Sequence, residues 1–523
     1  MAKPHSTALY FATVVSLGGF LFGFDASVIS GVVGFVVPEF GLNDWQQGFV
    51  VSAPTLSAIF AGLITGPVSD LIGRKAVLLI VAFLYTVSAI SSAFAPSFEV
   101  LVAARALGGF AFGSLLLAPL YIAEIAPPKL RGLMVSVNQL NIVIGFSAAY
   151  FANYFLLQAS QSDAAWVQTL GIDGYAWRWM LGLEAFPAVF FFLSLFLIPE
   201  SPRWLVVKGR MDEARAVLSR VIAADEMKAA LLEIEASVAE ATRQSKTRLQ
   251  ELLRPSLRFA LGVGLIVAVA QQITGVNAVY FYAPSIFEQS GVGTDAAFAQ
   301  AIWVGIINVI FTLIAMALID KVGRKPLLLL GLAGVLISMS ISAYGFGQAT
   351  YQLTDEAVAS LPEAVDDARL HPLVGVSFAD DVAYKNALKE ALGDQSMKAH
   401  EASLIQAAID INPYIVLVGI LGFVASFAIS LGPVMWVLLS EIFPNRIRGL
   451  AISVVTFFNA LVSFGVQFVF PWELSHLGNA WTFFIYGVFA AIGLVLIGWL
   501  LPETKGRTLE QLEQEFAGRS TAS

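Results

Sequence analysis

The sequence predicts an all-α membrane protein of twelve spanning helices in two six-helix halves, with a helical linker between them and an insertion between helices 9 and 10. Three observations carry this. The chain of 523 residues is 57% hydrophobic and only 13% charged, about half the charge of a soluble domain. Twelve stretches reach the ~20 apolar residues a helix needs to cross the hydrocarbon core of a bilayer. Of the 30 lysines and arginines, 24 fall on loops of one side, the sorting expected when cationic residues stay in the cytoplasm.

The spans read as 9–37, 48–69, 76–95, 100–122, 133–157, 179–198, 258–288, 297–319, 326–346, 412–437, 450–470 and 480–501. Met1–Thr7 is too short and polar for a cleavable signal, so the first run is kept as a span. The basic side holds Lys3, Arg74, Lys75, Lys129, Arg131, eleven cations from Arg203 to Arg258, Lys321, Arg324, Lys325, Arg446, Arg448, Lys505, Arg507 and Arg519. The opposite loops hold Arg178 and four cations within 347–411. An even span number then places both termini in the cytoplasm and the chain in the cell membrane, inner or plasma. Arg105 alone among the cations falls well inside a span. There is no cysteine, so disulfide and thiol chemistry are excluded.

The halves are read from repetition. GPVSDLIGRK (66–75) is echoed by ALIDKVGRK (317–325), AEIAPPKLRG (123–132) by SEIFPNRIRG (440–449), and PESPRW (199–204) by PETKGR (502–507). The first echo is displaced by 250 residues and the second by 317, and the 65-residue loop 347–411 between the two later motifs accounts for the excess. The expected organisation is a half at 1–198, a cytoplasmic linker at 199–257, a second half at 258–501 interrupted by the extracytoplasmic 347–411, and a tail at 502–523. Two six-span halves about an axis normal to the membrane are a transporter architecture whose substrate site lies near the midplane between them. In the linker, Ser201-Pro202 is a helix cap with a first-turn proline, and Asp212-Glu213 opens another helix. The insertion carries eleven acidic residues against Arg369, Lys385, Lys389 and Lys398. It reads as polar and partly helical, a solvated cap or a partner surface.

Inside the spans, ionisable residues are costly and mark function. Asp25 sits in the run SLGGFLFGFDASVISG (16–31). At 1.5 Å per residue it lies about 24 Å from the cytoplasmic start of its span, and Arg105 about 8 Å below the other surface, depths that agree within a turn. The two are expected to pair. A protonated Asp25 would release Arg105 and a deprotonated one would hold it, which is a proton cycle if two access states differ in the pairing; otherwise the pair is a static tie between spans one and four. Glu184, in the sixth span, is a second candidate, for the relay or for stabilising one conformation.

Amides gather at midplane depth: Gln139, Gln271, Gln272, Asn277, Asn308 and Asn459, with Trp436 beyond Gly432-Pro433, where the tenth span should break. Amide carbonyls and NH2 groups match the hydroxyls of a neutral sugar, and a ring suits its C–H face. A lone amide would more simply bind helix to helix; the grouping Gln271-Gln272-x4-Asn277 beside Tyr280, Phe281 and Tyr282 favours a sugar site. At the cytoplasmic span ends, Asp70, Arg74, Glu124, Arg131 and Glu200 are mirrored by Asp320, Arg324, Glu441, Arg448 and Glu503. They are ordinary helix-end charges, or a doubled latch that closes in one access state. Topology alone requires no matched carboxylates, so the latch is the better reading.

Taken together, the paired D-x-x-GRK, the paired E-x6-RG, PESPRW, QQITGVNAVYFYAP (271–284), GPVMWVLLSEIFP (432–444) and PETKGRT (502–508) resemble the sugar porter family of the major facilitator superfamily, over about 9–346 and 412–511. The resemblance implies that Gln139, Gln271, Gln272, Asn277, Asn308 and Trp436 contact sugar and that Tyr280–Tyr282 form the extracytoplasmic gate. It implies proton symport, because the family's proton-coupled members carry aspartate at the position of Asp25 where facilitators commonly carry an amide. Three positions depart from the xylose-symporting members: Phe146 stands for a glutamine, Phe281 for a tyrosine, and Ala460 for the tryptophan that usually follows the amide at 459. The pocket floor is therefore less aromatic.

An enzyme is not expected. His5, His371, His400 and His476 lie near ends or in loops, and no nucleophile–base, metal, nucleotide or pyridoxal signature is present. The expected partners are a monosaccharide (hexose, pentose or related polyol), a proton and lipid, with no cofactor, metal or nucleic acid, and the unit is a monomer. A proton-independent facilitator is the alternative; a transport-dead sensor fits less well, because the tail after Pro502 is about twenty residues.

Overall fold

Each apolar run closes into a helix because a backbone in lipid must satisfy its own N–H and C=O groups. The computed structural model describes residues 4–127, 130–223, 226–243, 251–252, 254–444, 446–507 and 511. Lys3, Lys129, Lys246, Arg248, Thr508 and Arg519 lie outside them. Twelve helices are long and apolar enough to cross a membrane: Ser6–Phe40, Asp44–Ile72, Arg74–Ala93, Phe98–Ile125, Arg131–Ser160, Ile172–Leu197, Leu257–Phe281, Thr294–Val322, Arg324–Gly347, Pro413–Ile442, Arg448–His476 and Asn479–Leu500. They overlap the twelve expected runs one for one. Apolar side chains such as Phe83, Phe186, Phe190, Val495 and Trp499 remain exposed on the outside, a surface suited to lipid.

Several spans are broken. The fourth is split between Ala111 and Ser114, the sixth between Gly182 and Ala185 around Glu184, and the seventh at Thr274-Gly275 and again at Tyr282. The tenth breaks at Ser430 (φ −130°, ψ −94°), not at Gly432-Pro433 as the sequence suggested. The shift has a steric cause: the ring of Pro433 clashes with the carbonyl four residues earlier, so the helix must end before it. Pro433 then sits in the first turn of the second piece, where an N–H has no partner to lose.

Within the first half, spans one and five cross closely. A Cβ on Gly23 would overlap the Ile142 carbonyl, and one on Gly145 the Phe20 carbonyl; small residues let membrane helices approach like this. The halves meet along two seams, span two against span eleven and span five against span eight. After the sixth span come the helices Pro202–Val207, Met211–Val221 and Met227–Arg243, the first capped by the Ser201 hydroxyl, which accepts from Trp204 N at 3.3 Å.

The segment between spans nine and ten is a folded cap. Thr350–Gln352 is the central strand of a three-stranded antiparallel sheet, flanked by Ser377–Phe378 and Ile409–Asp410. Helices Asp381–Leu392, Asp394–Ala399 and Glu401–Ala408 complete it. Tyr351, Leu353, Leu370, Tyr384, Leu388, Leu404 and Ile405 form its own apolar core, which its acidic composition concealed. Asp381 accepts two bonds from Asn479, at 3.0 and 2.7 Å, at the start of span twelve. Lys398 reaches the first half, donating to Leu42 O and Asp44 Oδ1 at 3.2 Å each.

Candidate functional site

The first half presents one buried charge pair. Asp25, on span one, and Arg105, on the first piece of span four, are each only 2% exposed, and Arg105 NH1 donates to Asp25 Oδ1. Asp25 Oδ2 and Arg105 Nε have no hydrogen-bond partner. Gly108 leaves room beside that free oxygen, since a Cβ there would stand 3.2 Å from Oδ2 and 2.5 Å from Ser88 Oγ. Glu184 sits at the break of span six, buried, with Oε1 unbonded and within electrostatic reach of both Asp25 and Arg105. Three buried ionisable groups thus lie within electrostatic reach of one another beside two helix breaks. Buried polar atoms are almost always bonded, so the unbonded atoms of Asp25, Arg105 and Glu184 set this cluster apart as a candidate site.

The second half presents the amides. Gln271 Nε2 donates to Leu431 O (2.8 Å) at the start of the second piece of span ten. Asn459 Nδ2 donates to Ala268 O and to Gln271 Oε1, both at 2.9 Å. Gln272 Nε2 donates to Gln271 Oε1 (3.1 Å) and Asn459 Oδ1 (3.2 Å), while its own carbonyl accepts from Asn277 Nδ2 at 2.9 Å. Four of the sequence-predicted amides therefore form one network across spans seven and eleven. Gln139 and Asn308 make no hydrogen bond among the described residues, and Trp436 is 44% exposed. These three are not part of that network.

On the cap side, Tyr280, Phe281 and Tyr282 are buried. Tyr150 OH, from span five, donates to Tyr280 O at 2.6 Å, and the Phe146 ring lies 5.3 Å from that of Tyr280. Both contacts join the two halves. At the opposite face, Arg74 donates to Asp70 (2.7 Å) and Glu124 (3.2 Å), Glu200 accepts from the backbone N–H of Arg74 (3.0 Å), and Ser201 Oγ donates to Glu124 (2.5 Å). The second half repeats this with Arg324, Asp320 (3.0 Å), Glu441 (3.0 Å), Glu503 (3.0 Å) and Thr504 (2.6 Å). Gly73 and Gly323, at φ +106° and +105°, give Glu200 and Glu503 their approach. Arg131 and Arg448 stand apart from these lattices: each starts a long helix, Arg131 is exposed, and Arg448 Nε donates to Phe443 O at 3.1 Å. Sequence reading also missed Ser463 and Gln467. The signal was there, because Asn459, Ser463 and Gln467 recur at intervals of four along an apolar helix.

This arrangement can be set beside known proteins. A family model described as "Sugar (and other) transporter" matches residues 11–361 and 398–516. The arabinose–proton symporter of Bacillus subtilis is 33% identical over 98% of this chain and 96% of that protein. The D-xylose–proton symporter of Escherichia coli is 33% identical over 96% of this chain and 94% of its own length. An inward-open structure of the E. coli xylose transporter superposes with a TM-score of 0.73 at 30% identity, covering 97% of this chain and 99% of that one. The doubled lattices, the twelve broken and unbroken spans and these matches agree: the chain is an integral membrane transporter, not an enzyme, and it belongs to the sugar porter family of the major facilitator superfamily.

Proposed function

We propose that this protein carries a monosaccharide across the cell membrane together with a proton, by alternating access, with both termini in the cytoplasm. The observation that carries the reading is the division of labour between the halves: one buried Asp25–Arg105 pair in the first, one amide cluster without charge in the second. The names of the arabinose and xylose relatives support proton coupling, and the one-sided basic loops support the orientation. Sugar hydroxyls would replace the bonds that Gln272, Asn277 and Asn459 now make to each other. Protonation of Asp25 would remove the charge that holds Arg105, freeing span four to shift against span one. The matched carboxylate–arginine lattices would hold the cytoplasmic span ends in one state and yield in the other. Tyr150, Phe146 and Tyr280 close the outer side.

The test is uptake into proteoliposomes of labelled D-xylose, L-arabinose, D-glucose and myo-inositol, with and without an acid-outside pH gradient. We expect one or more of these to accumulate only with the gradient. Asp25→Asn should abolish that accumulation and leave sugar counterflow intact. Full gradient-driven accumulation by Asp25→Asn would overturn the coupling role, and absence of uptake of every sugar would overturn the substrate class.

A further inference from the structure

Asn459, Ser463 and Gln467 lie on one face of the eleventh span, and all three are buried. They carry a chain of hydrogen bonds away from the amide cluster. Asn277 Nδ2, which donates to Gln272 Oε1, also donates to Ser463 Oγ at 2.5 Å. Gln467 Nε2 donates to the same hydroxyl at 2.9 Å. The other end of that amide crosses between the halves: Gln467 Oε1 accepts from Thr55 Oγ1, on span two, at 2.9 Å. The Gln467 backbone carbonyl accepts from Tyr282 OH at 3.2 Å. One side chain thus reaches the amide cluster through the Ser463 hydroxyl on one side and the first half on the other, with an aromatic of the outer side bonded to its backbone.

The path continues toward the charge pair by packing. Thr55 follows Pro54, and the Pro54 backbone lies on Gly109, so close that a Cβ on Gly109 would stand 2.6 Å from Pro54 Cα. Gly109 is one helical turn beyond Arg105 on the same piece of span four. Span two therefore rests on the helix that holds Arg105, and among the described residues its hydrogen-bonded link toward the amides runs from Thr55 through Gln467. Around this bond the seam is tight: Gly48 packs on the Phe468 backbone, and the Trp45 and Trp472 rings stack at 6.0 Å, with a second polar contact, Ser475 Oγ to Asp44, at the end of the seam.

We infer that Thr55 and Gln467 are positioning residues that make closure of the seam between spans two and eleven depend on whether the amides hold sugar. The inference rests on the sugar reading of Gln272 and Asn277. In this structure those two bond each other, and Asn277 also donates to Ser463. A sugar that claims Asn277 takes a donor from Ser463, the Ser463 hydroxyl turns, and Gln467 loses the geometry in which its carbonyl faces Thr55. Hydrogen bonds in such a chain polarise one another, so loss at one end is felt at the other. One cross-seam bond at the net strength of a typical intramolecular hydrogen bond shifts the closed-to-open ratio about two- to tenfold. A group that merely held the helices together would add to stability without making the seam respond to sugar.

The chain has no cysteine, so a labelled pair can be introduced without background. Cysteines replacing Trp45 and Trp472 in the full-length protein, spin-labelled in lipid nanodiscs, report the seam distance. The probe is whichever of D-xylose, L-arabinose, D-glucose or myo-inositol the parent binds. We expect saturating sugar to shift the parent's distance distribution. Thr55→Val and Gln467→Leu should reduce that shift to less than a third, with sugar affinity within threefold of the parent, and Thr55→Ser should restore it. Thr55→Val removes the hydroxyl that donates to Gln467 and Thr55→Ser keeps it, so the pair tests the bond from the first half's side, and a folding defect in Gln467→Leu does not remove the test. The inference is overturned if both variants keep the parent's shift, or if either loses sugar affinity more than tenfold, which would put it in the binding site itself. A parent that binds none of the four sugars overturns the substrate reading and this inference with it; a binding parent with unaffected variants overturns this inference alone.

Discussion

Gln272 is the amide whose removal should be felt most. Its NH2 serves Gln271 and Asn459, and its carbonyl serves Asn277. In the loaded site the same groups would serve sugar hydroxyls. Truncation to alanine costs those bonds and leaves a buried partner unmatched, about 1–3 kcal/mol for a neutral group. Gln272→Ala should therefore raise the KM for sugar by about tenfold to a hundredfold, the range expected for a lost hydrogen-bonding partner in a buried site. The rate at saturating sugar should change far less. The measurement is concentration-dependent uptake at fixed pH gradient, and an unchanged KM would remove Gln272 from the site. Gln139 and Asn308 offer a contrast. Neither spends its hydrogen bonds on protein among the described residues, so Gln272 has more protein partners to lose than they do.

At the scale of the element, the breaks in the spans decide where chemistry can occur. The seventh span ends its first piece at Thr274 and restarts after Gly275, which sits at φ +89° against the Tyr486 ring. The break turns the helix between Gln272 and Asn277, and so lets both reach one network. Gly275→Ala should cost about 1–2 kcal/mol from the left-handed backbone alone, and more because its methyl would meet the Tyr486 ring. Gly262, in the same span, has nothing within 4 Å of an added Cβ, and Ala there should gain about 0.5–1 kcal/mol. Thermal unfolding in detergent should rank Gly262→Ala above the parent and Gly275→Ala below it; the reverse order would remove Gly275 from the break. Span number and type were legible because twenty apolar residues in a row have few other uses. The contact between Asp25 and Arg105 was reachable by counting rise per residue; its part in coupling is what Asp25→Asn decides. The breaks in spans four, six and seven were not legible, because Phe112-Gly113 and Leu183-Glu184 leave the apolar pattern intact. The sheet of the cap was hidden for another reason: strands of two or three residues are too short to show a period.

At the scale of the whole molecule, the cap belongs to the second half by sequence yet reaches the first through Lys398 and Asp44. Beneath it lies a cavity of about 830 Å³, lined by Trp45, Tyr282, Glu288, Lys385, Glu401 and Trp472 among others. Two carboxylates there, Glu401 in the cap and Glu288 beyond Phe281, where the seventh membrane-crossing helix ends, respond oppositely to pH. Burial alone would raise Glu401, but the Lys385 ammonium at 3.0 Å, together with the Gln289 amide, holds it below the ordinary value. Its contribution is present above the ordinary glutamate range and lost as pH falls through its lowered value. Glu288 is pushed up to about 7 by burial and by the Glu401 charge, against an opposing bond from Thr294. Its neutral form is the one the fold favours, so ionisation opposes the fold. The protein should lose stability as pH rises from about 4.5 to 7 and change little beyond, by an amount on the order of 3 kcal/mol. Glu288→Gln keeps the neutral shape at every pH. Its melting temperature should match the parent's at pH 5 and exceed it at pH 8, with the two curves separating between those values. Parallel curves across that interval would show that Glu288 does not govern the pH response of the cap side. A separation that vanished on removing Lys398 would show that the response requires the cap's hold on the first half.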